Sequence, residues 1–196
     1  MAAVPTARSP QRRTGAAVAV ALGLLAVPAL SGCSGGLFGG GEEERPCPPV
    51  RIDKTASTLT QFRPDGGRDL TDVTLEAELV GYQGTCQYDR DDRAVEVEVT
   101  LAFTAALGPG ARAREQSFRY FVAIPRYFPN PLGKKVFDAR LVFPDNTDRI
   151  RYVGEELRLR LPLDLGESGT AYPVYLGFQL TPEELEYNRA QRPGRP

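Results

Sequence analysis

The sequence contains no histidine and no tryptophan, and its 196 residues include only three cysteines and one methionine. Histidine is the commonest general base and a frequent metal ligand, and the usual serine and cysteine nucleophile systems depend on it. Its absence leaves a carboxylate pair, a tyrosine or a lysine as candidate catalytic groups. A carboxylate pair is enough for glycoside hydrolysis. Whether an enzyme is expected therefore depends on where the acidic residues lie.

Acidic residues are numerous, but their positions match the solvated faces of strands. Glu76 and Glu78, and likewise Glu96 and Glu98, alternate with apolar residues, as on the polar side of a half-buried strand. We therefore expect no enzyme and no cofactor. The 24 basic and 25 acidic residues nearly balance, and no basic stripe is present. Nucleic acid is therefore not expected as a partner.

The main apolar run, residues 16–27, is too short to cross a membrane as a helix, because about 20 apolar residues are needed for that. Arg8, Arg12 and Arg13 precede it, and the first acidic residue is Glu42. A basic flank, a short apolar core and small residues before a cleavage point are the parts of an export signal. We predict that residues 1–32 are a signal peptide that is removed.

The residues at the end of this segment are more specific. Leu30-Ser31-Gly32-Cys33 resembles the lipobox of bacterial lipoproteins. The resemblance implies that the thiol of Cys33 carries a diacylglycerol, that the chain is cut before Cys33, and that the mature protein is anchored to a membrane of the cell envelope. By the sorting rule of the enteric members of the family, Ser34 favours the periplasmic face of the outer membrane. The alternative is an ordinary signal peptide cut near Gly32, which leaves Cys33 as a spare thiol.

Residues 33–45 join the lipidation site to the domain. Segment 34–45 is rich in glycine and glutamate, so we expect a flexible tether with a typical reach of about 20 Å. Cys47 and Cys86 are an even pair in an oxidising compartment, and a disulfide between them is the default expectation. Closing a loop of about 40 residues would stabilise the fold by roughly 4 kcal/mol.

From residue 47 onward the sequence predicts strand after strand. The clearest segment, residues 94–105, alternates valine, leucine and phenylalanine with glutamate and threonine over its whole length. Shorter strands are predicted at residues 50–52, 59–62, 73–82, 118–124, 137–143, 157–163 and 172–180. Thr181, followed by proline and two glutamates, predicts a helix at residues 182–190, and residues 191–196 are expected to be a disordered tail.

Many short alternating strands without long helices between them predict an all-β fold for residues 46–181. We expect an antiparallel β-sandwich of the immunoglobulin or fibronectin-III kind with a short C-terminal helix, and a small β-barrel is the alternative. The helix is expected either to cover a strand edge through Leu185 or to dock on a partner.

One loop collects the residue types that are common at interfaces. Between prolines 125 and 131 and just beyond them, aromatic, aliphatic and basic side chains gather, and such residues on a loop often carry recognition. The hypothesis is that this loop contacts an envelope protein or the membrane surface. The alternative is that Phe128 and Leu132 cap one end of the sandwich. The residues concerned are Arg126, Tyr127, Phe128, Leu132, Lys134 and Lys135.

Two acidic clusters, residues 89–92 and 145–148, are candidate calcium sites. Neither fits an EF-hand, since no glycine stands at the sixth position of either cluster, and in the first cluster Thr100 occupies the place of the bidentate glutamate. Aspartate and asparagine are also favoured in turns for local backbone reasons. We therefore expect turns and no metal site.

Taken together, the sequence predicts a non-catalytic, lipid-anchored protein that faces the periplasm. The lipobox, the tether, the cysteine pair and the closing residues 177–187 resemble small bacterial lipoproteins of unassigned function. That resemblance covers residues 46–190 and supplies no catalytic or binding motif. The expected role is a structural or protein-interaction component of the envelope. The alternative is a periplasmic binding module for a small ligand, a glycan or calcium.

Overall fold

Nine strands and one α-helix form in the part of the chain that the structure, a computed structural model, describes, residues 45–91 and 93–191. The strands are β1 (Val50–Ile52), β2 (Thr58–Phe62), β3 (Val73–Tyr88), β4 (Ala94–Leu107), β5 (Glu115–Ala123), β6 (Lys134–Val142), β7 (Arg149–Val153), β8 (Leu157–Pro162) and β9 (Val174–Phe178). The helix is α1 (Pro182–Gln191). Short 3-10 helices at Leu70–Asp72, Pro125–Tyr127, Pro131–Gly133 and Gly169–Ala171 lie in the connections. The predicted signal peptide, Cys33, the tether as far as residue 44, and residues 192–196 lie outside the described residues.

The strands form two sheets with a shared core. One sheet has four strands in the order β1-β9-β5-β6, and the other has the order β2-β3-β4-β7, with β8 also paired to β4. β7 and β8 pair with the two halves of β4, at residues 102–106 and 94–99. Within the described residues neither sheet closes on itself. The predicted β-sandwich is therefore confirmed, and the alternative of a small barrel is wrong.

The core follows the alternation that the sequence shows. In β4 the odd-numbered residues from 95 to 103 are all at most 2% exposed, because their side chains share the face that meets the other sheet. Phe103 lies at the centre, with ring centroids 5.0 Å from Phe118 and 5.5 Å from Phe178. Burial of such rings, at about 25 cal/mol per Å² of apolar surface, drives the two sheets together.

β3 is longer than predicted because a bulge interrupts its alternation. Leu79 pairs with Phe103 and Gly81 with Ala102, so Val80 is an extra residue on β3. After a bulge the side chains change faces, and the pattern that ended near residue 82 in the sequence continues in the opposite phase to Tyr88.

Two further features differ from the predicted strands. β7 was not predicted, and its inward residues Ile150 and Tyr152 are only partly buried, so the apolar signal is weak. β1 pairs with β9 in parallel, with Val50 opposite Val174. This pair departs from the otherwise antiparallel sandwich, and a strand of three residues carries no local signal for the direction of its partner.

The helix α1 lies against β2, which is an edge strand of its sheet. The amide of Asn188 donates to the carbonyl of Thr58 at 2.8 Å, and the ring of Tyr187 contacts that of Phe62 edge-on at 5.1 Å. The predicted helix start is confirmed, since Thr181 and Glu184 exchange side-chain-to-backbone hydrogen bonds of 2.8 and 3.2 Å. The helix thus covers a strand edge, as one of the two expectations proposed. The contacts are made by Asn188 and Tyr187, whereas Leu185, which was expected to make them, is partly buried.

Candidate functional site

The predicted interaction loop, between β5 and β6, is built from two consecutive 3-10 turns, each of which begins with proline. The backbone N–H of Ile124 donates to the carbonyl of Gly133 at 2.8 Å and closes the base of the loop. The side chain of Asn130 accepts a hydrogen bond from the N–H of Leu132 at 2.9 Å, as asparagine often does in turns. These bonds fix the conformation in which the loop presents its side chains.

Arg126 reaches from this loop to the connection between β8 and β9. Its guanidinium donates to Asp164 at 3.1 Å and to Glu167 at 2.7 Å, and it lies 5.7 Å from the ring centroid of Tyr172. The hydrogen bond to Asp164 and the charge of Glu167 raise the pKa of Arg126. The guanidinium therefore stays charged and holds the two connections together.

Tyr127 turns towards the core. Its hydroxyl donates to the carbonyl of Pro162 at 2.7 Å, and its ring lies 5.4 Å from that of Tyr172. Burial raises the pKa of Tyr127 above that of an ordinary tyrosine. Tyr127 thus helps to cap this end of the sandwich.

Three large apolar side chains at this end are left in solvent. Phe128 and Leu132 are 56% and 54% exposed, whereas Ile124 is 5% exposed and belongs to the core together with Tyr127. The alternative in which Phe128 and Leu132 cap the sandwich stays a prediction, since close to half of each side chain is covered. Leu165, in the connection between β8 and β9, is 96% exposed. It was missed in the sequence because a lone leucine between aspartate and glycine looks like an ordinary turn residue.

Lys134 and Lys135 begin β6 at the end of the same loop. Their ammonium groups lie 4.6 Å and 5.1 Å from the ring centroids of Phe121 and Phe137, within the range of a cation–π contact. Both residues are exposed, and lysine on an edge strand also discourages unwanted strand pairing.

The first described segment of the chain reaches the sandwich beside these two connections. The hydroxyl of Tyr88 donates to the carbonyl of Pro46 at 2.7 Å and accepts the N–H of Gly169 at 2.8 Å. A β-carbon at position 169 would lie 2.8 Å from that hydroxyl, so only glycine allows the contact without a shift. We call the end formed by residues 45–49, 124–133 and 163–173 the proximal end, and the opposite end of β4 the distal end.

The predicted disulfide between Cys47 and Cys86 is present, with 5.8 Å between the two Cα atoms. The hydroxyl of Tyr82 also donates to the carbonyl of Val50 at 2.8 Å. Together with Tyr88, these bonds tie residues 46–50 to β3 at three points, the last of them at the first residue of β1. The chain is therefore held firmly where it first reaches the domain.

Two of the acidic residues in the candidate calcium clusters, Asp89 and Asp148, have other partners. Asp89 accepts hydrogen bonds from the N–H groups of Arg93 and Ala94 and from Arg160. Burial alone would raise the pKa of Asp89, but these hydrogen bonds outweigh it and the pKa is lowered. Asp148 pairs with Arg114 at 2.9 Å. These two residues therefore act in turns and ion pairs.

A shallow polar groove on the outer face of the five-stranded sheet was also missed in the sequence. It has a volume of about 230 Å³, and its floor is made by small side chains of β4. Glu76 and Glu78 stand on β3, and Arg149 stands on β7, two strands or about 9.6 Å away. None of these three side chains forms an ion pair with another described residue, so their charges are available to a ligand.

Within residues 45–91 and 93–191 no group of three or more cysteine or acidic side chains is arranged to hold a metal ion. None of the helices described there is long and apolar enough to span a bilayer.

The fold and the site define a disulfide-bonded β-sandwich domain whose proximal end carries exposed apolar side chains. Comparison of the chain with protein-family models, with curated proteins and with solved structures gave no significant match. The residues and contacts described above are therefore the basis for any statement about function.

Proposed function

We propose that this protein is a lipid-anchored component of the bacterial cell envelope, attached through Cys33 and facing the periplasm. The observation that carries the proposal is Leu30-Ser31-Gly32-Cys33 at the end of the apolar run at residues 16–27. Two or more acyl chains anchor a protein stably, at about 0.8 kcal/mol for each buried methylene. The remainder of the chain would then act as a non-catalytic structural or protein-interaction module.

The described domain supports this role in two ways. It contains no histidine, and its two cysteines are joined in the disulfide, so the commonest catalytic groups have no counterpart. The first segment is fixed to β3 by Cys47, Tyr82 and Tyr88. A domain attached to a membrane by its N-terminal side needs such a secure attachment point.

The test compares the full-length protein with Cys33→Ser, both expressed in a bacterial host. We expect the wild-type mature chain to begin at residue 33, to carry the mass of a diacylglycerol, and to stay in the membrane fraction after washes with high salt and carbonate. The Cys33→Ser chain should lack the added mass and should not begin at residue 33. An unmodified wild-type protein that is released by gentle lysis would overturn the proposal.

The second candidate function, a binding module, is favoured by the polar groove. Carboxylates on one wall and a guanidinium on the other suit a small polar or zwitterionic ligand or a short glycan. A volume of about 230 Å³ is below the usual range of about 300–1,000 Å³ for drug-sized ligands, so only a small group would fit.

A screen of sugars and amino acids by calorimetry tests this candidate. Binding should fall at least severalfold in Glu76→Gln with Glu78→Gln and in Arg149→Ala. Gln83→Ala, exposed on β3 outside the groove, should leave it unchanged. Equal effects of all the variants, or no binding at all, would remove the binding module from consideration.

A further inference from the structure

Three exposed apolar side chains lie at one end of the sandwich, on two connections that contact each other. Leu165 is 96% exposed, Phe128 56% and Leu132 54%. The two connections are joined by Arg126, which binds Asp164 and Glu167. The three side chains therefore lie on two connections that Arg126 joins at the same end of the sandwich.

The chain reaches the domain at this same end. Pro46 and Gly169 are both bonded to the hydroxyl of Tyr88, so the first described residues lie beside the connection that carries Leu165. Only residues 34–44 separate Arg45 from the predicted lipid attachment at Cys33. A linker of that length has a typical reach of about 20 Å and a fully extended reach of about 40 Å.

We propose that the proximal end rests on the lipid bilayer, with Leu165, Phe128 and Leu132 in its interfacial layer. This inference rests on the proposed lipid anchor, and it adds the surface through which the domain itself contacts the membrane. The transfer of exposed leucine and phenylalanine side chains from water to the boundary of the acyl chains lowers the free energy of the system.

The length of the tether, compared with that of the sandwich, indicates which end contacts the bilayer. The distal end also exposes apolar side chains, Leu70 at 72% and Val142 at 67%. It is separated from the proximal end by the length of β4, whose 14 residues span about 45 Å. The tether joins the domain at the proximal end and has a typical reach of about 20 Å. It therefore favours contact of the proximal end, rather than the distal end, with the bilayer.

Charge does not oppose the contact. Arg126 is paired with Asp164 and Glu167, and Lys134 and Lys135 stand beside the exposed loop. Because cations and anions are mixed at this end, apolar contact rather than net charge should provide the attraction. The contact should therefore form on zwitterionic phosphatidylcholine vesicles and should change little with salt.

The experiment places an environment-sensitive fluorophore on single introduced cysteines of the full-length lipoprotein. Leu165→Cys reports the proximal end, and Leu70→Cys is the matched control, an exposed leucine at the distal end. A lipidated Cys33 and the Cys47–Cys86 disulfide would not react with the label. Each labelled protein is reconstituted into phosphatidylcholine vesicles with or without a quencher attached high on the acyl chain.

We expect the label at residue 165 to be shifted to the blue and quenched severalfold more than the label at residue 70. Adding Phe128→Ser and Leu132→Ser should reduce that quenching. Equal quenching at both positions, or none at either, would overturn the inference. So would a label at residue 165 that is shielded in native envelopes but exposed on vesicles, since a protein partner would then cover this end.

Failure of the anchor is distinguished by mass spectrometry of the same samples. If Cys33 carries no lipid, the proposed function fails, and the labelled chains in a Cys33→Ser background are titrated with excess vesicles. The inference then stands only if the label at residue 165 responds at lower lipid concentration than the label at residue 70, and it is overturned if the two respond alike.

Discussion

Gly108, directly after β4, shows how closely two parts of the backbone approach at the distal end. A β-carbon there would lie 2.1 Å from the carbonyl oxygen of Val73, and the N–H of Gly108 donates to Thr74 at 3.1 Å. Gly108→Ala should therefore force the two segments apart and lower the free energy of unfolding by about 1–3 kcal/mol, as measured by urea denaturation.

Gly81 is the matched control, because a β-carbon at that position would meet nothing within 4 Å. Gly81→Ala restricts the unfolded chain without a clash and should be neutral or stabilising by about 0.5 kcal/mol. If the two alanine variants were equally stable, the close approach at Gly108 would have no energetic consequence.

Asp72 organises the turn before β3 and should make stability depend on pH. Its carboxylate is bonded to the guanidinium of Arg63 and accepts the N–H of Gly67 at 2.9 Å. The hydrogen bond to Arg63 lowers the pKa of Asp72 despite its burial. A lowered pKa in the folded protein means that the stabilisation is present above the unfolded pKa of about 3.9 and is lost as the pH falls through the folded value.

We therefore expect Asp72→Asn to lower the melting temperature by a constant amount between about pH 5 and 7, and by less as the pH falls below about 4. Calorimetric scans over that range measure the difference. Asp65→Asn, which removes only an exposed ion pair with Arg112 of 3.4 Å, should change the melting temperature little at any pH. A deficit in Asp72→Asn that did not shrink at all between pH 5 and pH 3 would contradict the linkage.

At the scale of elements, α1 protects the edge of β2. Asn188 is only 7% exposed, and its amide satisfies the carbonyl of Thr58. Asn188→Ala leaves that carbonyl without the bond and should lower the free energy of unfolding by about 1–3 kcal/mol. Because an uncovered edge can pair with other chains, light scattering on heating should also begin at a lower temperature.

Arg189→Ala is the control for this prediction, since Arg189 is exposed on the same helix. It should leave both stability and aggregation close to those of the wild type. An Asn188→Ala protein that was as stable as Arg189→Ala would show that the contact of α1 with β2 is incidental.

A strand could be predicted from the sequence as far as its alternation of apolar and polar residues extends. β4 could be read along nearly its whole length because its odd-numbered residues from 95 to 103 are all buried. β3 could be read only as far as its bulge at Val80, where the side chains change faces. β7 was missed because Ile150 and Tyr152 are its only inward apolar residues, and the parallel pairing of β1 depends on a contact with β9 far along the chain.

Only part of the candidate site could be predicted from the sequence. The loop between β5 and β6 could be singled out by composition, but composition does not separate Tyr127, which is tied to Pro162, from Phe128, which is exposed. Leu165 could not be found, because its exposure depends on the path of the connection between β8 and β9. The pairing of Cys47 with Cys86 was predictable once Cys33 was assigned to the lipobox, and it is present.

At the scale of the whole molecule, the Cys47–Cys86 disulfide links the point where the chain joins the domain to the longest strand. The two cysteines are 39 residues apart, so the cross-link restricts a large part of the unfolded chain. Replacing both with serine should lower the free energy of unfolding by about 4 kcal/mol, a large fraction of the 5–15 kcal/mol that is typical of a domain.

Urea denaturation measures this loss, and reduction of the wild type should reproduce it. Tyr82→Phe, which removes only the hydrogen bond to Val50, should cost about 1 kcal/mol. A double serine variant that unfolded at the wild-type urea concentration would show instead that the sandwich holds its first segment by packing alone.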